Sequence, residues 1–174
     1  MLIGHGSPAL DCPPRFVGEL MSLEWRQERG GGDALQRRAE ELDAAIRSWP
    51  RGPDNDPYKR GLERVAEALK PLLPTDLFAI GYNEFCNPSI AEAVAQVVRQ
   101  GATRVLVIPS MLTPGGVHAE LDIPRALETI RATHPHVRIE YVWPFAIERV
   151  AELLAAHIDQ ALKAPSGAAR PGVL

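Results

Sequence analysis

Cysteine is scarce: Cys12 and Cys86 are too few and too far apart for a disulfide framework or a zinc knuckle, so both are read as free thiols. An excess of positive charge is also missing. The net charge of -3 leaves no basic footprint for nucleic acid, and a polyanionic partner would have to be held by local groups. No apolar run approaches the roughly 20 residues that cross a bilayer, and the N-terminus lacks a charged stretch followed by an apolar run and a cleavage site. Neither a membrane nor a nucleic acid is therefore an expected partner, and the cytoplasm is the expected location. There is no Gly-x-Ser-x-Gly elbow, no P-loop and no dinucleotide fingerprint, which removes most of the case for a serine hydrolase or a nucleotide-binding enzyme. Nor is there an internal duplication. What is present is ordinary for a globular protein: 174 residues, 45% hydrophobic and 24% charged, enough for one well-buried core. One α/β domain is expected over residues 1–163, followed by a disordered Ala-, Pro-, Ser- and Gly-rich tail at 164–174.

Two segments differ in texture. Residues 8–60 are punctuated by Pro8, Pro13, Pro14, Gly30, Gly31, Gly32, Pro50, Gly52, Pro53 and Pro57, and carry two helical patterns. The first spans about 15–29, with Phe16, Leu20, Leu23 and Trp25 on one side. In the second, Asp33 is placed to cap the helix with Gln36 reaching back, and Leu35, Ala39, Leu42, Ile46 and Trp49 recur at helical spacing before Pro50. Beyond residue 56 the pattern becomes regular: a helix at 57–70, a strand at 76–82, a helix from Ile90 behind the capping box Ser89/Glu92, and a strand at 104–109. A helix at 120–133, a strand at 137–142 and a helix at 146–163 complete it, the last burying Ile147, Val150, Ala151, Leu154, Ile158 and Leu162. Strands alternating with helices imply parallel pairing with right-handed crossovers, hence a four-stranded parallel sheet flanked by helices, with the 8–60 segment as a helical insertion.

Three chemically capable residues fall at strand-to-helix junctions, beyond the carboxyl ends of strands, where open α/β sheets bind ligands. His5 lies between Gly4 and Gly6, which let the backbone bend sharply. His118 closes Thr113-Pro114-Gly115-Gly116-Val117-His118. Asp122, four residues on, either orients its imidazole or merely favours the positive end of the helix. Glu84 sits in Tyr82-Asn83-Glu84-Phe85-Cys86. Two imidazoles and a carboxylate suit a borderline divalent cation such as iron, cobalt, nickel or zinc, with positions left open for solvent or substrate. Cys86 is the softer alternative ligand, better placed as a small thiol packed under the turn. His134, His136 and His157 are read as surface or structural, and Arg15, Lys59, Arg60 and Arg125 as either solvated surface cations or charge partners of an anionic ligand.

The order of these motifs resembles the small sirohydrochlorin cobalto-/ferrochelatases, the class II chelatases. The matching pieces are Leu2-Ile3-Gly4-His5-Gly6-Ser7, Glu84 with Pro88-Ser89-Ile90, Val107-Ile108-Pro109, and Gly115-Gly116-Val117-His118 with Asp122-Ile123-Pro124. The resemblance covers residues 1–8 and 57–160 and leaves 9–56 without a counterpart. It implies a flavodoxin-like fold and insertion of cobalt, iron or nickel into a tetrapyrrole, with the metal as substrate and no organic cofactor. It further implies that His5 and His118 handle the metal, that Glu84 is the associated acid, and that a homodimer completes a cleft built from two halves in the larger chelatases. A metal or tetrapyrrole carrier using the same pocket without turnover is the alternative.

Overall fold

A computed structural model describes residues 1–27 and 29–164. All of the expected tail except Ala164 lies outside them. Four strands, β1 (Leu2–Gly4), β2 (Ile80–Tyr82), β3 (Arg104–Pro109) and β4 (Arg138–Tyr141), form one parallel sheet in the order β2-β1-β3-β4. Six α-helices accompany them: α1 (Pro14–Gln27), α2 (Asp33–Arg47), α3 (Pro57–Leu69), α4 (Ile90–Arg99), α5 (Ile123–Thr133) and α6 (Ile147–Lys163). This is the expected four-stranded α/β architecture. The strand order reverses between β1 and β3, and at such a switch point the loops leaving the two strands diverge and open a crevice. His5 leaves β1 and His118 follows β3, on the two sides of that crevice.

Alternation along the strands sorts the core into two layers. Ile3, Val105, Val107 and Ile139 point to the α4–α5 side and meet Val94, Val97, Ile123 and Leu127. Leu2 and Ile108 point the other way, toward Leu62 and Ala66 of α3. On that second face α3 covers the β2–β1 half, whereas Leu106 and Val142 on the β3–β4 half are 45% and 41% exposed.

Four local expectations change. The strand expected at 76–82 is paired only from Ile80, because its neighbour β1 begins at Leu2 and the last ladder contact on that side is the Leu2 amide donating to the Ala79 carbonyl. Gly32, not Asp33, caps α2. Asp33 is instead the first helical residue, where its charge complements the helix start, and Gln36 donates to Glu40 rather than back toward the cap. Trp25 is not on the packed face of α1; it is 58% exposed, with the Arg29 guanidinium 4.4 Å from its ring centroid. The largest correction concerns α6. Its apolar stripe was expected in the core, yet no α6 residue is buried, and Ile147, Leu154, Ile158 and Leu162 are 56–78% exposed. The connection is held on the site side: Trp143 stacks on Tyr141 and meets Phe145 edge-on, and its indole donates to Glu120 in the His118 turn.

The α1–α2 hairpin has a separate core of Leu20, Leu23, Ala39, Leu42 and Ile46 with Ala9 and Cys12, and Phe85 packs against it from the sheet side.

Candidate metal centre

Gly4 and Gly6 let the first imidazole reach the crevice. A Cβ on Gly4 would lie 2.3 Å from Leu62, and one on Gly6, where φ is +97°, would lie 1.8 Å from the Glu84 carbonyl oxygen. Only glycine fits a left-handed residue pressed this closely on backbone. The ladder then continues past the strands: Asn83 and Glu84 donate their amides to the carbonyls of Gly4 and His5, at 2.9 and 2.8 Å. Glu84 is thereby held beside His5. The His5 amide itself donates to the Tyr58 hydroxyl of α3 at 2.8 Å. His118 arrives differently. It opens a single wide π-helical turn, His118–Asp122, ahead of α5, and such turns re-aim side chains relative to the helix that follows.

These elements bring His5, Glu84 and His118 together, with one potential ligand atom from each lying within 4.8 Å of the others. The Nε2 atoms of His5 and His118 are 2.9 Å apart. Each ring's other nitrogen faces an acceptor: Nδ1 of His5 the Gly6 carbonyl at 2.6 Å, Nδ1 of His118 the Asp122 carboxylate at 2.7 Å. With hydrogen on both Nδ1 atoms, the arrangement these two acceptors favour, each Nε2 would turn a lone pair toward the other ring; the Asn83 side-chain nitrogen also lies 3.1 Å from Nδ1 of His118. Two lone pairs facing each other repel unless a cation lies between them. Two nitrogens bound about 2.05 Å from one ion and about 90° apart are separated by about 2.9 Å, so the spacing suits a single divalent ion with nitrogens in adjacent positions. Asp122 completes the carboxylate–histidine pairing that fixes tautomer and ring orientation in such centres. Of the two roles open for Asp122, the structure places its carboxylate on the imidazole.

The side chains of His5, Glu84 and His118 are 36%, 33% and 30% exposed, so the site opens to solvent on one side. Its surroundings are acidic. Glu24 of α1 has its carboxyl pKa raised, first by desolvation and then by the negative charges of Glu84, Asp43 and Asp122. Cys86 is fully buried, its thiol donating to the Ser7 carbonyl and pushed up in pKa by burial; it packs beneath the turn. His134 and His136 lie together after α5, and His157 is on exposed α6.

Residues 50–161 match the CbiX family model. The chain belongs to the CbiX family. Glu84 and His118 fall inside the matched stretch, while His5 and the α1–α2 hairpin precede it. The sirohydrochlorin cobaltochelatase of Sulfurisphaera tokodaii is 35% identical over 89 residues, 51% of this chain and 70% of that protein. The sirohydrochlorin ferrochelatase of Priestia megaterium is 28% identical over 95 residues, 54% of this chain but 35% of that protein. Among solved structures, the sirohydrochlorin chelatase SirB from Bacillus subtilis subspecies spizizenii, in complex with cobalt, superimposes with a TM-score of 0.52 at 20% identity. That likeness, which establishes the fold, covers 91% of this CbiX-family chain and 48% of SirB, so the chain spans about half the length of that relative.

Sequence reasoning had not singled out Tyr58, Asn83, Arg47 or Arg51. Asn83 carries its amide 3.1 Å from Nδ1 of His118, and Tyr58 meets His5 from 53 residues away. No periodicity announces contacts of that kind.

Proposed function

We propose that the protein inserts cobalt(II) or iron(II) into sirohydrochlorin or a closely related tetrapyrrole. The observation that carries this proposal is the convergence of the His5 and His118 Nε2 atoms, 2.9 Å apart, with the Glu84 carboxylate beside them and each ring's Nδ1 facing an acceptor. The metal is substrate, not a resident cofactor. Neutral imidazoles replace water in its coordination shell without adding charge, and a partly open site leaves positions for the incoming macrocycle. Insertion releases two protons from the pyrrole nitrogens as two metal–nitrogen bonds form, so the site must also hold a base. Glu84, 3.9 Å from Nε2 of His5 and 3.4 Å from Nδ1 of His118, is the base we assign, with an imidazole freed on metal release as second acceptor. The family membership and the cobalt- and iron-named relatives support the metals and the macrocycle.

The protein works, in this proposal, as a homodimer in the cytoplasm. This chain covers 48% of SirB, and in this proposal a second copy faces the metal site to enclose the macrocycle. Two apolar surfaces left uncovered by the described residues support such a pairing: the outward stripe of α6, and a cavity of about 390 Å³ on the open half of the sheet, lined by Leu73, Leu77, Phe78, Leu106, Ile108 and Val142. Exchange of α6 between copies covers both.

An anaerobic visible-absorption assay of sirohydrochlorin with cobalt(II) or iron(II) tests the activity. Acceleration over the spontaneous rate, lost in His5→Ala and in His118→Ala with the fold intact, is expected. A spectral shift on binding with no acceleration by the wild type would turn the assignment to a carrier.

A further inference from the structure

We propose that Arg47, the last residue of α2, and Arg51, in the loop that follows it, are positioning residues that hold Glu84 against the two histidines. The proposal rests on the metal-centre assignment above.

The segment that carries Glu84 needs holding. Phe85 has φ of +56°, and the Cys86 amide donates to the Glu84 carbonyl at 2.6 Å, closing a three-residue γ-turn of the positive-φ kind. Such turns are rare and strained, and persist only where surrounding contacts over-determine them. That turn consumes the Glu84 carbonyl and leaves those of Asn83, Phe85 and Cys86 pointing outward. All three are received by the hairpin. Arg47 donates from Nη1 to Cys86 and from Nη2 to Asn83, both at 2.8 Å, while its Nε is aimed by Asp43 at 2.7–2.9 Å. Arg51 donates to the Phe85 carbonyl and, at 2.9 Å, to that of Ser7 in the His5 loop, and its fork is paired with buried Asp56. Two planar guanidiniums thus tie the Glu84 turn and the His5 loop to the end of α2 and the loop that follows it. A lysine ammonium has three donors but on a single nitrogen at the end of a flexible stem, so it does not reproduce the fixed fork by which Arg47 serves Cys86, Asn83 and Asp43 together. Phe85, whose ring also lies 6.4 Å from that of His5, plugs the same turn into the hairpin core. The insertion is therefore part of what shapes the centre.

Arg47 is the position to test, because removing Arg51 strands the buried Asp56 carboxylate. Cobalt(II) alone is titrated anaerobically into wild type, Arg47→Ala, Arg47→Lys, Glu84→Gln and the Arg47→Ala/Glu84→Gln double variant, with affinity read from the visible absorption of the bound ion. Arg47→Ala is expected to weaken cobalt binding by roughly 10-fold, within the range seen when groups that orient metal ligands are removed. Arg47→Lys should recover part of the loss, and the double variant should bind as Glu84→Gln does, because Arg47 acts through that carboxylate. Arg38→Ala, which removes the hairpin's exposed ion pair with Glu19 without touching either loop, should bind as wild type. Should Arg47→Ala fail to fold, Arg47→Lys and Asp43→Asn run through the same cycle. Independent losses that multiply in the double variant, or an Arg47→Ala affinity equal to wild type, overturn the positioning role and leave the centre standing. A wild type that binds no cobalt overturns the metal-centre assignment and the proposal with it.

Discussion

His118 is governed through the nitrogen turned away from the crevice. Its Nδ1 donates to Asp122 at 2.7 Å, and that bond both orients the ring and makes Nε2 the better donor to a cation. Asp122→Ala should leave the fold intact and weaken cobalt(II) affinity by roughly 10- to 100-fold, as a titration in the visible would show; an unchanged affinity would mean that Asp122 does not set the donor strength of the ring. Tyr82 presents the opposite case. Its side chain is fully buried, its hydroxyl has no hydrogen-bond partner, and burial raises its pKa well above the usual phenol range. An orphaned buried hydroxyl carries its desolvation cost without return, so Tyr82→Phe should raise stability by about 1 kcal/mol, or roughly 2–4 °C in Tm in a melting experiment. At this scale His5, Glu84 and His118 were legible because each stands at a strand-to-helix junction marked by glycine or proline. Arg47 was not, since a guanidinium that meets backbone carbonyls 36 and 39 residues away leaves no trace in the pattern.

Among the elements, α4 shows a local rule acting without interference. Ser89 accepts from the Glu92 amide, and the Glu92 carboxylate accepts from the Ser89 amide at 2.7 Å, as the Ser-x-x-Glu spacing predicts. Ser89→Ala should destabilise the protein by about 1 kcal/mol in urea unfolding. The bonds from the Ser89 amide and hydroxyl hold the Glu92 carboxyl below its ordinary pKa, so its contribution is full above the unfolded carboxylate value near 4.3 and disappears as pH falls through the lowered native one. The stability gap between wild type and Glu92→Gln should accordingly be present at pH 7 and close below about pH 4; a gap that persists in acid would contradict the capping role. Strand β3 was legible to the residue because it is central and β-branched, whereas β2 was read too long because pairing depends on where its neighbour starts. The start of α2 failed for a related reason: three consecutive glycines offer the chain an extended N-cap, and Asp33 slides one place into the helix.

For the whole molecule, the amphipathic period of α6 was read correctly as a helix and wrongly as core, because periodicity reports an apolar face and not the surface that covers it. Within one chain that face looks outward, and the β3–β4 half of the sheet on the α3 side lies open. Ile147, Leu154, Ile158 and Leu162 retain more than half of their exposure. Burying such side chains fully stabilises an assembly by about 1.5–3 kcal/mol each, so two exchanged helices offer ample drive for association. Wild type is expected to sediment as a dimer at micromolar concentration. Leu154→Glu combined with Ile158→Glu places two carboxylates four residues apart on the exposed stripe, and should convert the dimer to a folded monomer with unchanged far-ultraviolet circular dichroism. If the second copy also completes the crevice, that monomer should lose acceleration of metal insertion while keeping cobalt(II) affinity, because His5, Glu84 and His118 all come from one chain. A wild type that sediments as a monomer and still accelerates insertion would show that one copy is enough.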